Sequence, residues 1–270
     1  MEKIIKVVDE KRNIIQVTTE DERWYGRTLE DPVTKLPVWQ YFPSVTWICD
    51  FYPKGIGFYK WLANTGWDEA QAIKEAAGGK GSKVHQVISD LLRGVEINVE
   101  KSEYINPSTK KPEHLTFEEW EAICSFSEWY FLTRPKIIGN EIVVWNEKEK
   151  YAGTADLVCS IKDSLWIVDF KTSQSIWPSH RLQLSAYKHA REEWSNAKLL
   201  ILQLGYKRNN SRYKPTEVQD CFNLFLNTKQ IWEQETKGQV PYQRDYPIKI
   251  SLDIEGDSNG RTEGLRKQDK

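Results

Sequence analysis

The chain has 270 residues with 38 Lys and Arg against 39 Asp and Glu, so its formal charge of −1 gives no overall attraction to a polyanion. A nucleic-acid partner would need a local basic groove or a bound metal whose charge composition does not count. Cys49, Cys124, Cys159 and Cys221 form no C-x-x-C pair, which argues against structural zinc, and no leader or apolar membrane-spanning run stands out. The expectation is an intracellular chain with reduced thiols and no membrane partner, folded as one large domain or a domain with an elaborated lobe.

Residues 1–42 read as a β extension of undetermined role: KIIKVV and NIIQVTT joined by a charged turn, then Trp24, Tyr25 and Trp39. Ser44 is a good N-cap for a helix after Pro43. With Thr46 it could touch a phosphate at that helix start, or it could simply cap a core helix. Asp68–Ala77 is predicted helical, broken by Gly78-Gly79, with a second helix over Lys80–Leu92. Val84, Ile88, Leu91 and Leu92 make its apolar stripe, and His85 lies beside them. A lone histidine there is more often a core residue than a ligand. A polar loop, Glu100–Glu113, follows. Thr116-Phe117-Glu118-Glu119 is a capping box that opens a helix ending at Arg134-Pro135. Its expected buried side is Phe117, Trp120, Ile123, Cys124, Trp129 and Phe131.

Ile137–Trp145 reads as a strand carrying Glu141. Two more strands, Thr154–Ile161 and Leu165–Lys171, are joined by a Lys162-Asp163 turn. If that loop has two residues, Ile161 faces Ser164 and Asp156 faces Asp169, with Cβ atoms about 4.5–5.5 Å apart. Lys171, two residues on, shares their face. Ala155, Leu157, Cys159, Trp166, Val168 and Phe170 form the opposite, apolar face. Opposed carboxylates in an apolar hairpin need a cation between them, and Mg²⁺ or Mn²⁺ suits carboxylate oxygens. The lysine could position water or stabilise charge on a phosphoryl oxygen. The plainer alternative is a salt bridge between Asp169 and Lys171. A helix from Pro178 to about Trp194 puts Gln183 and Tyr187 on one face, with Arg181 beside them. Leu199–Tyr206 is a buried strand. The turn after it carries Lys207, Arg208, Arg212 and Lys214 with no acid nearby in sequence, so it reads as a DNA-backbone grip or a solvated tip. A last helix covers about Phe222–Glu235, and the tail, 251–270, is nearly free of apolar residues and expected to be disordered.

The segments GTADLV, IVDFKTS and QLSAY, with His85 upstream, resemble the RecB-type exonuclease branch of the PD-(D/E)XK nuclease superfamily. Pro43-Ser44-Val45-Thr46 and Tyr59-Lys60-Trp61 are similar to elements of phage and mitochondrial genome-maintenance exonucleases. The resemblance implies an α/β fold: a restriction-endonuclease-like core at 136–250, with a mixed central sheet flanked by helices, and an upstream helical lobe at 43–135 carrying His85. It implies that His85, Asp156, Asp169 and the Phe170 carbonyl hold Mg²⁺ or Mn²⁺, with Glu141 as a further ligand candidate. Lys171 would orient the attacking water, while Gln183 and Tyr187 hold substrate and lysine. Ser44, Thr46, Arg181, Lys207, Arg208 and Arg212 would contact DNA. Some relatives hold an iron–sulfur cluster with three C-terminal cysteines; only Cys221 follows Lys171 here, so no cluster is expected. DNA with single-stranded ends is the implied substrate, and replication or recombination proteins the implied partners. Exonuclease activity is favoured, with an endonuclease or nickase, or an inactive DNA-binding relative, as alternatives.

Overall fold

The N-terminal segment folds as an antiparallel meander because short runs rich in β-branched and aromatic residues are separated by polar turns. Strands β1 (Ile4–Asp9), β2 (Ile14–Thr18), β3 (Arg23–Glu30) and β4 (Pro37–Pro43) lie side by side in chain order. The structure is a computed structural model describing residues 4–19, 22–107, 109–237 and 241, so the tail expected to be disordered lies outside the described residues. Apart from Pro241, the described residues belong to one compact unit, Met1–Val240.

Ser44 caps α1 (Val45–Asp50), its Oγ accepting from Trp47 N at 3.1 Å. Helix α2 (Ile56–Thr65) buries none of its residues. Helix α3 (Trp67–Leu92) runs unbroken through Gly78-Gly79, against the expected break. Each glycine costs about 1 kcal/mol relative to Ala in a helix but keeps its N–H, unlike proline. Burial of Val84, Val87 and Ile88 further along outweighs that cost. The expected polar loop contains a two-stranded ribbon, β5 (Glu103–Ile105) and β6 (Pro112–His114). Helix α4 (Phe117–Thr133) opens with the predicted capping box and closes on Arg134 in the left-handed region. Its buried side is Ala122, Ile123, Ser125, Phe126 and Trp129, whereas Phe117 and Phe131 are 81% and 73% exposed. Aromatic residues occur all round this helix, so spacing alone did not single out the inner stripe.

The main sheet comprises β7 (Lys136–Asn146), β8 (Tyr151–Ile161), β9 (Ser164–Lys171), β10 (Lys198–Leu204) and β11 (Tyr213–Val218), ordered β11-β10-β9-β8-β7. Only β9 and β10 pair in parallel, across the connection carrying α5 (Pro178–Lys188). That helix is shorter than predicted and is followed by a turn of 3₁₀ helix at Glu192–Trp194. Both sheet faces are covered. On one, Val45, Ile48, Val158, Ile167, Leu182, Leu184 and Phe225 join α1, α5 and α6 (Phe222–Thr236). On the other, Val84, Ile88, Phe126, Trp129, Leu157, Val168 and Leu202 join α3 and α4. The result is an α/β fold with helices on both faces of a mixed sheet. No helix among the described residues is long and apolar enough to cross a membrane.

Three tryptophans fasten the N-terminal sheet to this core. Trp24 of β3 lies edge-on to Trp47 of α1 at 4.9 Å and to Trp232 of α6 at 5.9 Å, and is 1% exposed. Trp24→Ala is expected to cost about 3–5 kcal/mol, as buried aromatic truncations do. Urea unfolding checks it, and a loss below about 1 kcal/mol would show the N-terminal sheet to be loosely attached.

Candidate active site

The hairpin that begins the site is set by its turn. Lys162 and Asp163 have φ of 49° and 60°, the paired left-handed geometry of a two-residue hairpin loop. It fixes the expected register from Ile161 opposite Ser164 to Leu157 opposite Val168. The ladder ends there, one step short of Asp156 and Asp169. Asp156 Oδ2 instead accepts from Phe170 N at 2.8 Å.

The two aspartates then serve different neighbours. Asp156, His85 and Glu141 each offer a donor atom, all within 4.8 Å of one another. Glu141 reaches this group from β7, where it occupies the gap between the Asn140–Leu157 and Ile142–Ala155 pairs with φ of 50°. A left-handed glutamate inside a strand is a strained arrangement of the kind found at functional sites. Asp169, 1% exposed, turns to Lys171 and Gln183 and is outside the cluster. Its Oδ1 accepts from Gln183 Nε2 at 3.0 Å. Its Oδ2 is 2.5 Å from Lys171 Nζ, yet this buried oxygen has no aligned hydrogen bond. Gln183 also accepts from Lys171 Nζ at 3.3 Å and donates to the Tyr187 hydroxyl at 3.0 Å. Gly153 makes room for that tyrosine, since a Cβ there would meet the ring at 2.7 Å.

His85, on α3, has Nε2 2.9 Å from the Phe170 carbonyl and Nδ1 3.3 Å from Asp156 Oδ1. A carbonyl and a carboxylate can both accept from the ring, so this setting favours the doubly protonated imidazole. Burial works against that charge, but Asp156 outweighs it and raises the His85 pKa to about 9. Burial likewise opposes ionisation of Asp156, which His85 and Lys171 reverse, holding that carboxyl below its ordinary range. Asp169 is pushed up to about 6 by burial, against the pull of Lys171 and with added repulsion from Asp156. Glu141 is also raised, by burial and then by Asp156, although its side chain keeps an open side to water.

This donor set fits a hard divalent cation. It has two carboxylates and an imidazole in reach of one point, with no thiol among them. A protonated His85 cannot ligate, so a proton and a metal compete for the same place.

A cavity of about 1080 Å³ opens over the cluster, and Ser44, Thr46, His85, Glu141, Asp156, Lys171, Gln183 and Tyr187 all line it. Ser44 Oγ is already used by the Trp47 amide and by Thr46 Oγ1. Arg181 is exposed and outside the lining. The basic turn is not acid-free: Lys207 pairs with Glu118 at 3.1 Å and Arg212 with Glu121 at 3.1 Å, both from α4. Neither they nor the exposed Arg208 line the cavity. The cavity instead takes charge from residues that sequence reading passed over, Lys6, Arg23, Arg93 and Lys110. With Lys171 they set five Lys and Arg against Asp90, Glu141 and Asp156 in the lining. Nothing in the local sequence marks these four, since charges on alternate strand positions or in polar loops are usually solvated.

The pKa shifts predict how stability responds to pH. Asp169 rises from 3.8 to about 6 and His85 from 6.5 to about 9, so the folded state holds both protons more tightly than the unfolded chain. Their contribution is therefore greatest at low pH and is lost as pH climbs from about 4 to about 9. Asp156 acts oppositely, but only as pH falls below its ordinary carboxyl range. Mn²⁺ should thus raise the melting temperature more at about pH 9 than at about pH 6, because it replaces a proton. A shift independent of pH, measured by differential scanning fluorimetry, would contradict the competition.

No protein-family model and no curated protein matches the chain. Among solved structures it is similar to the crystal structure of SSO0001, at 15% identity and a TM-score of 0.28, over 46% of this chain and 61% of that one.

Proposed function

We propose that the chain is a Mg²⁺- or Mn²⁺-dependent nuclease that hydrolyses DNA phosphodiesters, its five-stranded sheet serving as a restriction-endonuclease-like core. The reading rests on one observation above all. The Lys171–Asp169–Gln183–Tyr187 network abuts the His85–Glu141–Asp156 donor cluster at the wall of a single cation-rich cavity. A salt bridge between Asp169 and Lys171 alone would not require that convergence.

His85, Glu141 and Asp156 would hold the ion, with Asp169 and the Phe170 carbonyl at its margin. When bound, the ion supplies Lewis-acid polarisation of a phosphoryl oxygen and a lower pKa for an attacking water. Lys171 is held by Asp169 and Gln183 with its ammonium at the cavity wall, where its remaining donor capacity can orient water or meet charge developing on phosphate. Gln183 sets the direction of that ammonium, and Tyr187 fixes Gln183 through the amide nitrogen. Helix α2 and the start of α3 expose Phe58, Tyr59, Trp61 and Trp67 outside the cavity lining, rings on which the bases of a single strand could stack. Each base stacked on such a ring contributes about 1–3 kcal/mol without sequence preference. Trimming from single-stranded ends is therefore the favoured activity. A DNA-binding relative without activity is the rival reading, and cleavage assays with Mn²⁺ or EDTA separate the two.

Lys171→Ala should lower turnover on the order of 10²–10³-fold, the scale of losing one preorganised donor, while Mn²⁺ affinity by calorimetry changes little. Equal loss of metal affinity and turnover would show that the lysine only shapes the metal site. Asp156→Asn should remove both metal binding and cleavage. Single-stranded ends or flaps should be cut much faster than blunt duplex, and a closed single-stranded circle should resist; rapid opening of the circle would mark an endonuclease.

A further inference from the structure

The N-terminal sheet is more than an attachment to the fold, because one of its faces forms a wall of the cavity. Register places Lys6 beside Gln16 and Gln16 beside Tyr25, one rung across β1, β2 and β3. Arg23 lies two residues before Tyr25 on β3 and so shares that face. All four line the cavity with the metal-donor cluster and Lys171.

The wall is held in fixed relation to that cluster. Tyr25 accepts from Gln16 Nε2 at 2.9 Å and bonds Thr154 Oγ1 at 3.0 Å, two residues before Asp156. Arg12, in the β1–β2 turn, donates to the Val143 carbonyl at 2.6 Å, two residues after Glu141. Both metal-bearing strands are thus tied to the N-terminal sheet close to their ligands. Lys6 and Arg23 are exposed and make no direct ion pair among the described residues, although the charge of Lys6 is felt by Glu141 across the cavity. Lys207 and Arg212, at the basic turn, spend their charge on α4. Unpaired cations on a rigid, concave, protein-walled surface concentrate anions.

We infer that Lys6 and Arg23 form a phosphate-binding track, with Gln16 and Tyr25 as its polar floor. The track seats the backbone of a single nucleic-acid strand beside the phosphate at the metal cluster. This rests on the nuclease reading and adds to it: the first forty residues position the polyanion, and the site is incomplete without them.

The test is a Lys6→Ala/Arg23→Ala variant of the full chain, with Lys136→Ala/Lys148→Ala as a charge-matched variant at exposed positions outside the cavity. Binding of a fluorescent thymidine homo-oligomer is followed by anisotropy, with Ca²⁺ in place of Mn²⁺, from about 0.05 M to about 0.3 M salt. Each single-strand phosphate contact contributes about 0.7 to the slope of log affinity against log salt. The Lys6/Arg23 variant should therefore show a slope shallower by about 1.4 and an affinity about tenfold lower at low salt, while the charge-matched variant matches the wild type. Melting temperature should stay at the wild-type value in both, which excludes misfolding as the cause. An unchanged slope beside normal cleavage overturns the track and leaves the nuclease reading standing. Binding that depends on Lys6 and Arg23 without cleavage in Mn²⁺ overturns the nuclease reading and keeps the track. Failure of the wild type to bind overturns both.

Discussion

Two carboxylates buried where β8 and β9 stop pairing set the terms for the rest of the molecule. Asp156 and Asp169 are 9% and 1% exposed, and neither can remain charged there without partners from elsewhere. Asp156 takes an amide from β9 and an imidazole from α3; Asp169 takes an amide and an ammonium from Gln183 on α5 and Lys171 on β9. The arrangement exists only if helices on both faces meet the same end of the sheet. Burying such pairs often adds little net stability over apolar residues of similar volume, while removing one partner is costly. Their cost is better matched to chemistry than to holding the fold together.

The sheet makes that convergence possible because β8, β9 and β10 are apolar on both faces. Val158 and Ile167 pack toward α1, α5 and α6, while Leu157 and Val168 pack toward α3 and α4. A sheet clamped on both sides holds its strand ends steadily enough for His85 and Gln183, on separate helices, to reach adjoining aspartates. Glu141 is the exception to regular geometry. Its left-handed backbone lies opposite Asp156, where the β7–β8 ladder opens between Asn140 and Ile142. The strain falls at a residue whose carboxylate belongs to the donor cluster and away from the apolar stretches.

Much of this was legible in the residues themselves. The Lys162-Asp163 turn, the Ile161–Ser164 register and the i, i+4 spacing of Gln183 and Tyr187 are local properties, and the structure has them as read. Parts set by distant packing were not legible. Gly78-Gly79 looks like a helix break until the buried stripe after it is known, and Phe117 and Phe131 look like core until the sheet is in place. Asp156 and Asp169 were expected to share one ion as equals. The plainer alternative, an ion pair between Asp169 and Lys171, is what the structure has, with Gln183 joining it, while Glu141 takes the nearer place to Asp156 and His85.

The same distinction governs where the cations of this chain come to lie. A run of cations with no acid beside it in the chain, as at Lys207–Lys214, says nothing about acids that a helix brings up from ninety residues away, and Glu118 and Glu121 do that here. Conversely, Lys6 sits in an apolar strand and Arg23 directly after the acidic run Glu20-Asp21-Glu22, so neither stands out in sequence, yet the meander sorts alternate residues to opposite faces and presents these two to the cavity. A chain of net charge −1 can hold a polyanion only through such sorting, because the field a ligand meets in a walled pocket depends on the side chains at that wall more than on the total. The cavity's excess of Lys and Arg is therefore a property of topology, built by pairing three N-terminal strands and tying the third to β8.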